Sequence, residues 1–148
     1  MDIQSSLPSP SQEEHLARLE AEEQANERLY KVLDIGQAML QSGAEVSRVE
    51  DSLRRICLAY GAERADVFTI TSNIMVTMYS RQYGAQTQIR RVAGQQYDLH
   101  RLELLNLLCR RICAERLTLE ETERALDAIR DEPQYSFPVQ LLTFALIS

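Results

Sequence analysis

Glu45, Glu50, His100, Ser47 and Ser72 are the residues of this chain whose types suit acid–base or nucleophilic chemistry. Glu45, Glu50 and His100 can be drawn as an acid–base set, because proton transfer needs a carboxylate or imidazole beside the reacting group. A serine nucleophile needs a base within reach, and the spacing supplies none for Ser47 or Ser72. There is no G-x-S-x-G turn, no phosphate-binding glycine loop and no Cys/His pairing signal. His100 directly follows Leu99 at the start of a helix capped by Asp98, and reads as a solvated or capping histidine. No residue is assigned a catalytic role; Glu45 and His100 are the candidates if the domain is an enzyme. Cys109 and Cys113 stand one helical turn apart, a spacing that can chelate a metal. Their neighbours Leu105, Leu108 and Ile112 make them small core residues instead. His15 and His100 are far apart and no Cys-x-x-Cys exists, so neither a metal site nor a cofactor is expected.

Two carboxylates are better read as positions in a scaffold. Glu45 falls in the first turn of a helix, where the positive end of the helix dipole and free backbone N–H groups favour an acid by about 0.3–1 kcal/mol. With Val46 at zero and 100° per residue, Glu50 falls at about 40°, beside Cys57 at about 20° on the apolar arc. A carboxylate there needs a partner, since burial without one costs several kcal/mol or raises its pKa. Arg90 and Arg91 are the expected partners: neighbours on a strand point to opposite faces, so one of them faces the helices. A structural Glu–Arg pair and a ligand-binding pair both fit these residues.

The elements that must position them follow from periodicity. Ser11 with Glu14 forms a capping box that opens a first helix, amphipathic only in its second half, where Leu29, Val32, Leu33, Gly36, Met39 and Leu40 repeat at helical spacing. Ser42-Gly43 ends it. A second helix carries Val46, Val49, Leu53, Ile56, Cys57 and Tyr60 on one face, with Arg48, Asp51, Arg54 and Arg55 outside, and stops at Gly61. The period then becomes two: Asp66 to Thr71, Ile74 to Ser80 and Gln86 to Val92 predict a three-stranded antiparallel sheet, with turns at Ser72-Asn73 and Tyr83-Gly84. Asp98 caps a third helix, Leu99 to Ala114, apolar on most of its circumference and therefore expected to be central. Thr118 with Glu121 opens a short fourth helix. The fold expected is α+β: two helices, the sheet, two helices, then an apolar segment leading to a membrane.

The 148 residues suit one globular domain, with 45% hydrophobic and 26% charged residues. The net charge of −6 is concentrated in residues 1–27, which hold seven acids and one base and leave the body neutral. A neutral body argues against a nucleic-acid partner, which requires a basic face. Three cysteines cannot all pair, and the N-terminus does not resemble a secretory signal, so a reducing compartment is expected. Three stretches result: 1–25, an acidic mobile leader and the start of the first helix; 26–136, a soluble domain; and 137–148, uncharged and Leu-rich. The last is shorter than the ~20 residues that span a bilayer, and reads as the start of a first transmembrane helix.

The run Gly43-Ala44-Glu45-Val46-Ser47-Arg48-Val49-Glu50 opens a helix after an amphipathic one. With it come Ser72-Asn73-Ile74 between two strands, Ile89-Arg90-Arg91-Val92 on the third, and Asp98-Leu99-His100-Arg101-Leu102 opening the next helix. In this order the chain resembles the N-terminal soluble domain of the threonine/serine exporter family, which includes YjjP-type proteins, from about Leu29 to its end. The resemblance implies a cytoplasmic-side domain of an inner-membrane exporter of small polar metabolites, threonine and serine or a dicarboxylate. Its role would be gating, sensing or assembly, its partners the membrane portion of the same or another chain, a small polar metabolite and further copies of itself. Gly43, Glu45, Arg48, Glu50, Ser72, Asn73, Arg90, Arg91 and His100 are the binding or structural motif residues that it carries over. A hydrolase-like domain acting on a small peptide or amino-acid derivative, and a pure oligomerisation module, are the alternatives.

Overall fold

A computed structural model describes residues 7–132; the apolar stretch 137–148 lies outside them. The first helix, α1 (Pro10–Gln41), starts ahead of the Ser11 expected from sequence. Ser9 is the cap: its backbone N–H donates to Gln12 Oε1 at 2.8 Å, and Pro10 fills the first helical position, where no N–H is needed. Most of the supposed leader is therefore helix, although residues 7–20 are exposed throughout. Burial begins only where the apolar period does, at Ala25, Leu29, Val32 and Leu33.

Ser42 closes α1 and Gly43 follows at φ 95, a left-handed turn that also brings the backbone under Tyr97: a Cβ on Gly43 would lie 2.6 Å from the ring. Helix α2 (Val46–Ala59) buries Val49, Leu53, Ile56 and Cys57, the arc expected. The three strands are β1 (Arg64–Ile70), β2 (Asn73–Ser80) and β3 (Gly84–Arg91), antiparallel in the order β1-β2-β3. They begin two residues, one residue and two residues earlier, respectively, than the apolar pattern, because strand pairing extends through the small and polar residues Arg64-Ala65, Asn73 and Gly84-Ala85, which the pattern does not register. Helix α3 (Leu99–Glu115) is capped by Asp98, which accepts from the Arg101 N–H at 3.0 Å, and α4 (Leu119–Asp131) by Thr118, which accepts from the Glu121 N–H at 3.2 Å.

The layers run sheet, then α1 and α2, then α3 and α4. Helix α2 lies under β1 and α1 under β2 and β3, while α3 packs on α1 and α2 and α4 on α1 and α3. Register sorts the side chains. Val67, Val76 and Gln88 share one cross-strand row facing the helices; Phe68, Met75 and Ile89 share the next row, which faces outward. The central helix is α1, not α3. Leu105, Leu108, Cys109 and Ile112 of α3 are buried, but Leu99 and Leu107 are exposed, because α1, α2 and α4 leave one face of the helix uncovered. Cys113, also expected in the core, is exposed, whereas Cys57 and Cys109 are buried.

Gly36 sets the spacing of the middle layer. A Cβ there would stand 2.6 Å from Leu53 Cδ1 of α2 and 3.0 Å from Ile74 Cδ1 of β2, both fully buried. Gly36→Val should lower stability by about 1–3 kcal/mol through overpacking, read as a lower urea midpoint; an unchanged midpoint would show that the layers have slack at this point.

Candidate functional site

The structure distributes the sequence-derived candidates over five places. The first is the start of α2. Glu45 is its N-cap residue, at φ −68 and ψ 136, and not part of its first turn. Its carboxylate makes no bond to the helix N–H groups; Oε1 accepts from Ser47 Oγ at 3.0 Å, at the surface. Arg48 is exposed one turn on.

Glu50 is partly buried, as its place on the apolar arc requires, but its partner is no arginine. Oε1 accepts from the backbone N–H of Thr69 at 2.8 Å. The reason lies in the sheet: β1 is an edge strand, and its outward N–H groups have no strand to bond. Glu50, on the helix beneath, satisfies one of them. The expected Glu50–Arg90 or Glu50–Arg91 ion pair is thus corrected to a charge-assisted bond between a helix and a strand edge.

Arg90 does turn toward the helices, and meets α1. Its Nη1 donates to Asp34 Oδ1 and to Gln37 Oε1, each at 2.8 Å. Asp34 also pairs with Lys31 at 3.5 Å, Lys31 reaches Glu123 of α4 at 3.5 Å, and Arg130 Nη2 donates to the Asp34 carbonyl at 3.3 Å. This network ties sheet, α1 and α4 together. Arg91, next on the strand, is exposed on the opposite face. It shares a row with Asn73, and Ser72 contributes its carbonyl to the Val92 N–H at 2.8 Å. Those residues are hairpin structure. His100 stands apart on α3, half-exposed, with Nε2 3.0 Å from Glu132 Oε2.

Arg48 lines an open groove of about 780 Å³ between α2 and α3, together with Ser47, Cys109 and Cys113 of the residues weighed from sequence. Positions 48, 51, 52 and 55 form one stripe of α2, and 106, 109, 110 and 113 the facing stripe of α3. The groove therefore presents three guanidiniums, Arg48, Arg55 and Arg110, with Asp51 and Asn106 between them. Asp51 is held by Arg55 at 3.1 Å and by Arg54 at 3.9 Å. Asp34, Arg55, Asn106 and Arg110 were missed by motif reasoning. Asp34 had a signal, the lone acid in the run Val32-Leu33-Asp34-Ile35; the groove had one too, the polar stripe opposite the apolar arc of α2.

The thiols give the groove no nucleophile. Burial pushes Cys57 up to about 12, and burial with the neighbouring Cys113 pushes Cys109 up to about 12, while burial also raises Cys113. Among the described residues no group of three or more His, Cys, Asp or Glu side chains is placed to hold a metal.

Because Gln keeps the acceptor oxygen but not the charge, Glu50→Gln should cost about 0.5–1.5 kcal/mol, whereas Glu50→Ala should cost about 1.5–3 kcal/mol by orphaning the Thr69 N–H. Chemical unfolding of both variants decides; equal losses would mean that charge, not the hydrogen bond, is what α2 supplies to β1.

Among the described residues no helix is long and apolar enough to cross a membrane. Comparison with curated proteins finds no match, and neither does comparison with solved structures. The family described as "Putative threonine/serine exporter" matches residues 31–148, which takes in the last third of α1, every later element and the stretch beyond α4. With that match over most of its length, and an order of helix, helix, sheet, helix, helix, the chain belongs to the threonine/serine exporter family.

Proposed function

We propose that the chain is the N-terminal domain of an inner-membrane exporter of small polar metabolites, threonine and serine or a dicarboxylate, and that it lies on the cytoplasmic side. The observation that carries the reading is the family match over residues 31–148. Its own task, in this reading, is to sense the exported solute in the groove between α2 and α3. Arg48, Arg55 and Arg110 suit a carboxylate, and Asp51 suits an α-ammonium group, so an amino-acid zwitterion finds complementary charges there. Arg55 and Asp51 are largely exposed, which screens these interactions and favours a low affinity, on the order of millimolar. Calorimetric titration of the chain with threonine, serine and succinate should detect one of them, and Arg48→Ala with Arg110→Ala should weaken it at least about tenfold. Export by the full transporter that is unaffected by both substitutions would remove the sensing role. The hydrolase alternative would replace it if the chain turned over an amino-acid ester and Glu45→Ala or His100→Ala abolished that turnover.

An assembly role is favoured by the outer face of the sheet. Phe68, Met75 and Ile89 form an exposed apolar row, 60%, 40% and 65% accessible, beside Ile70 and Tyr79. A second copy of the chain is the occupant we assign to it. Rotation about an axis along β2 sets Met75 on Met75 and Phe68 on Ile89, so the row is complementary to itself. The nearby Arg64 and Asp66 neutralise each other at 2.9 Å, and the same rotation sets Arg91, at the end of β3, over Ile70 of the second copy. Light scattering should show dimers of the chain that Phe68→Arg converts to monomers; a monomeric parent chain would refute this assignment.

A further inference from the structure

A second cavity, of about 700 Å³, opens beyond the C-terminal turn of α2, where the β2–β3 turn and the α3–α4 link meet it. Three features of its wall leave hydrogen-bonding capacity or backbone strain that the fold does not use up. Tyr83 lines it and is only 4% exposed, yet its hydroxyl has no hydrogen-bond partner among the described residues. Such a group is costly to bury unless something bonds to it. Arg116 lines it too, and closes α3 in the left-handed conformation, at φ 51 and ψ 57. Among the described residues it is the one non-glycine with positive φ, at a cap position where glycine is usual and a side chain is strained.

The third feature is the start of α4. Thr118, Leu119 and Glu120 line the cavity. The Glu121 N–H goes to the Thr118 hydroxyl at 3.2 Å and the Thr122 N–H to the Thr118 carbonyl at 2.9 Å. That leaves the N–H groups of Leu119 and Glu120 with no partner inside the helix, at its positive end. Arg28 completes the wall, its Nη1 fixed by a 2.9 Å bond to the Tyr60 carbonyl. Burial raises the pKa of the Tyr83 hydroxyl, with Arg28 opposing, so at neutral pH it is a donor. Two guanidiniums, a phenol and a helix N-terminus all offer protons, and Glu120 is the one acid in the lining.

We propose that this cavity binds a small organic anion through its carboxylate or phosphate group, with Tyr83 and Arg116 as binding residues. Bound oxygen would satisfy the Tyr83 hydroxyl and give the strained Arg116 backbone its use. The site is separate from the groove between α2 and α3 and does not depend on that groove's role.

The test is amide NMR titration of the 148-residue chain with sodium phosphate and, separately, with sodium succinate at constant ionic strength. Saturable shifts at Tyr83, Arg116, Leu119 and Glu120 are expected with at least one of them; phosphate alone identifies a phosphate ligand, succinate alone a carboxylate, and no saturable shift from either overturns the proposal. Two variants separate binding from folding. Tyr83→Phe removes the unpartnered hydroxyl and Arg116→Gly removes the strain, so each should raise the melting temperature of the free chain while raising the Kd at least about tenfold. A lower melting temperature for Tyr83→Phe would show that the hydroxyl is already satisfied, and unchanged affinity in both variants would place the anion elsewhere; either result overturns the assignment. The shifts at Tyr83, Arg116, Leu119 and Glu120 should persist in Arg48→Ala, and their loss in that variant would assign the anion to the other groove.

Discussion

The layers of this domain are set by one close approach. At Gly36 the backbone of α1 comes so near α2 and β2 that Leu53 and Ile74 fill the space a side chain would take. Helix α1 is thereby shared: it contacts β2 and β3 on one side and α3 and α4 on the other, and its buried half lies in the interior between them. A glycine inside a helix costs about 1 kcal/mol relative to alanine. The contacts it admits, between side chains that are fully buried, offset that cost because dispersion and apolar burial scale with the area brought together.

Polar ties then fix what apolar packing leaves free. Packing alone does not choose the rotation of a sheet over two helices, whereas directional bonds do. Glu50 anchors the edge of β1 to α2 through the Thr69 N–H, and Arg90 anchors β3 to α1 through Asp34 and Gln37. The two ties lie on opposite edges of the sheet. Each uses a charged group at a partly buried place, where a hydrogen bond to a charge is worth more than at the surface. At the other end of the stack, the Tyr60 hydroxyl and Thr122 Oγ1, 2.9 Å apart, tie α2 to α4.

The elements were legible because each one is signalled locally: apolar spacing for α2, alternation for the strands, and a Ser, Asp or Thr cap for three of the four helices. The Arg90 reading shows where that legibility stops. Alternation on a strand correctly says that one of Arg90 and Arg91 faces inward, but which carboxylate waits there depends on which helix lies beneath β3. Topology decides that, and the apolar arc of α2 carries no trace of it. The same ignorance placed α3 at the centre, since leucines around a helix report apolarity and not the number of neighbours. The groove between α2 and α3 was only half legible for a related reason: the polar stripe of α2 shows in the sequence, but not that residues 106–113 of α3 are brought face to face with it.

The end of the described chain is the most heavily tied of its surface elements. Arg101, in the first turn of α3, donates through Nη2 to the carbonyls of Arg130 and Glu132, at 3.2 and 3.3 Å, and His100 contacts the Glu132 carboxylate. Arg130 in turn donates to the Asp34 carbonyl, which belongs to the residue that holds Arg90. A displacement of the chain beyond Glu132 would therefore act first on the start of α3 and on the middle of α1. Helix α3 is also one wall of the groove that carries Arg110 and Asn106. In the exporter reading this supplies a short physical route: solute bound between α2 and α3 sets the position of α3, and α3 holds the residues from which the chain continues. Coupling of this kind needs an element with two available positions, and α3 is the element that spans the route, since it packs on α2 across the groove and on α4 beside the ties.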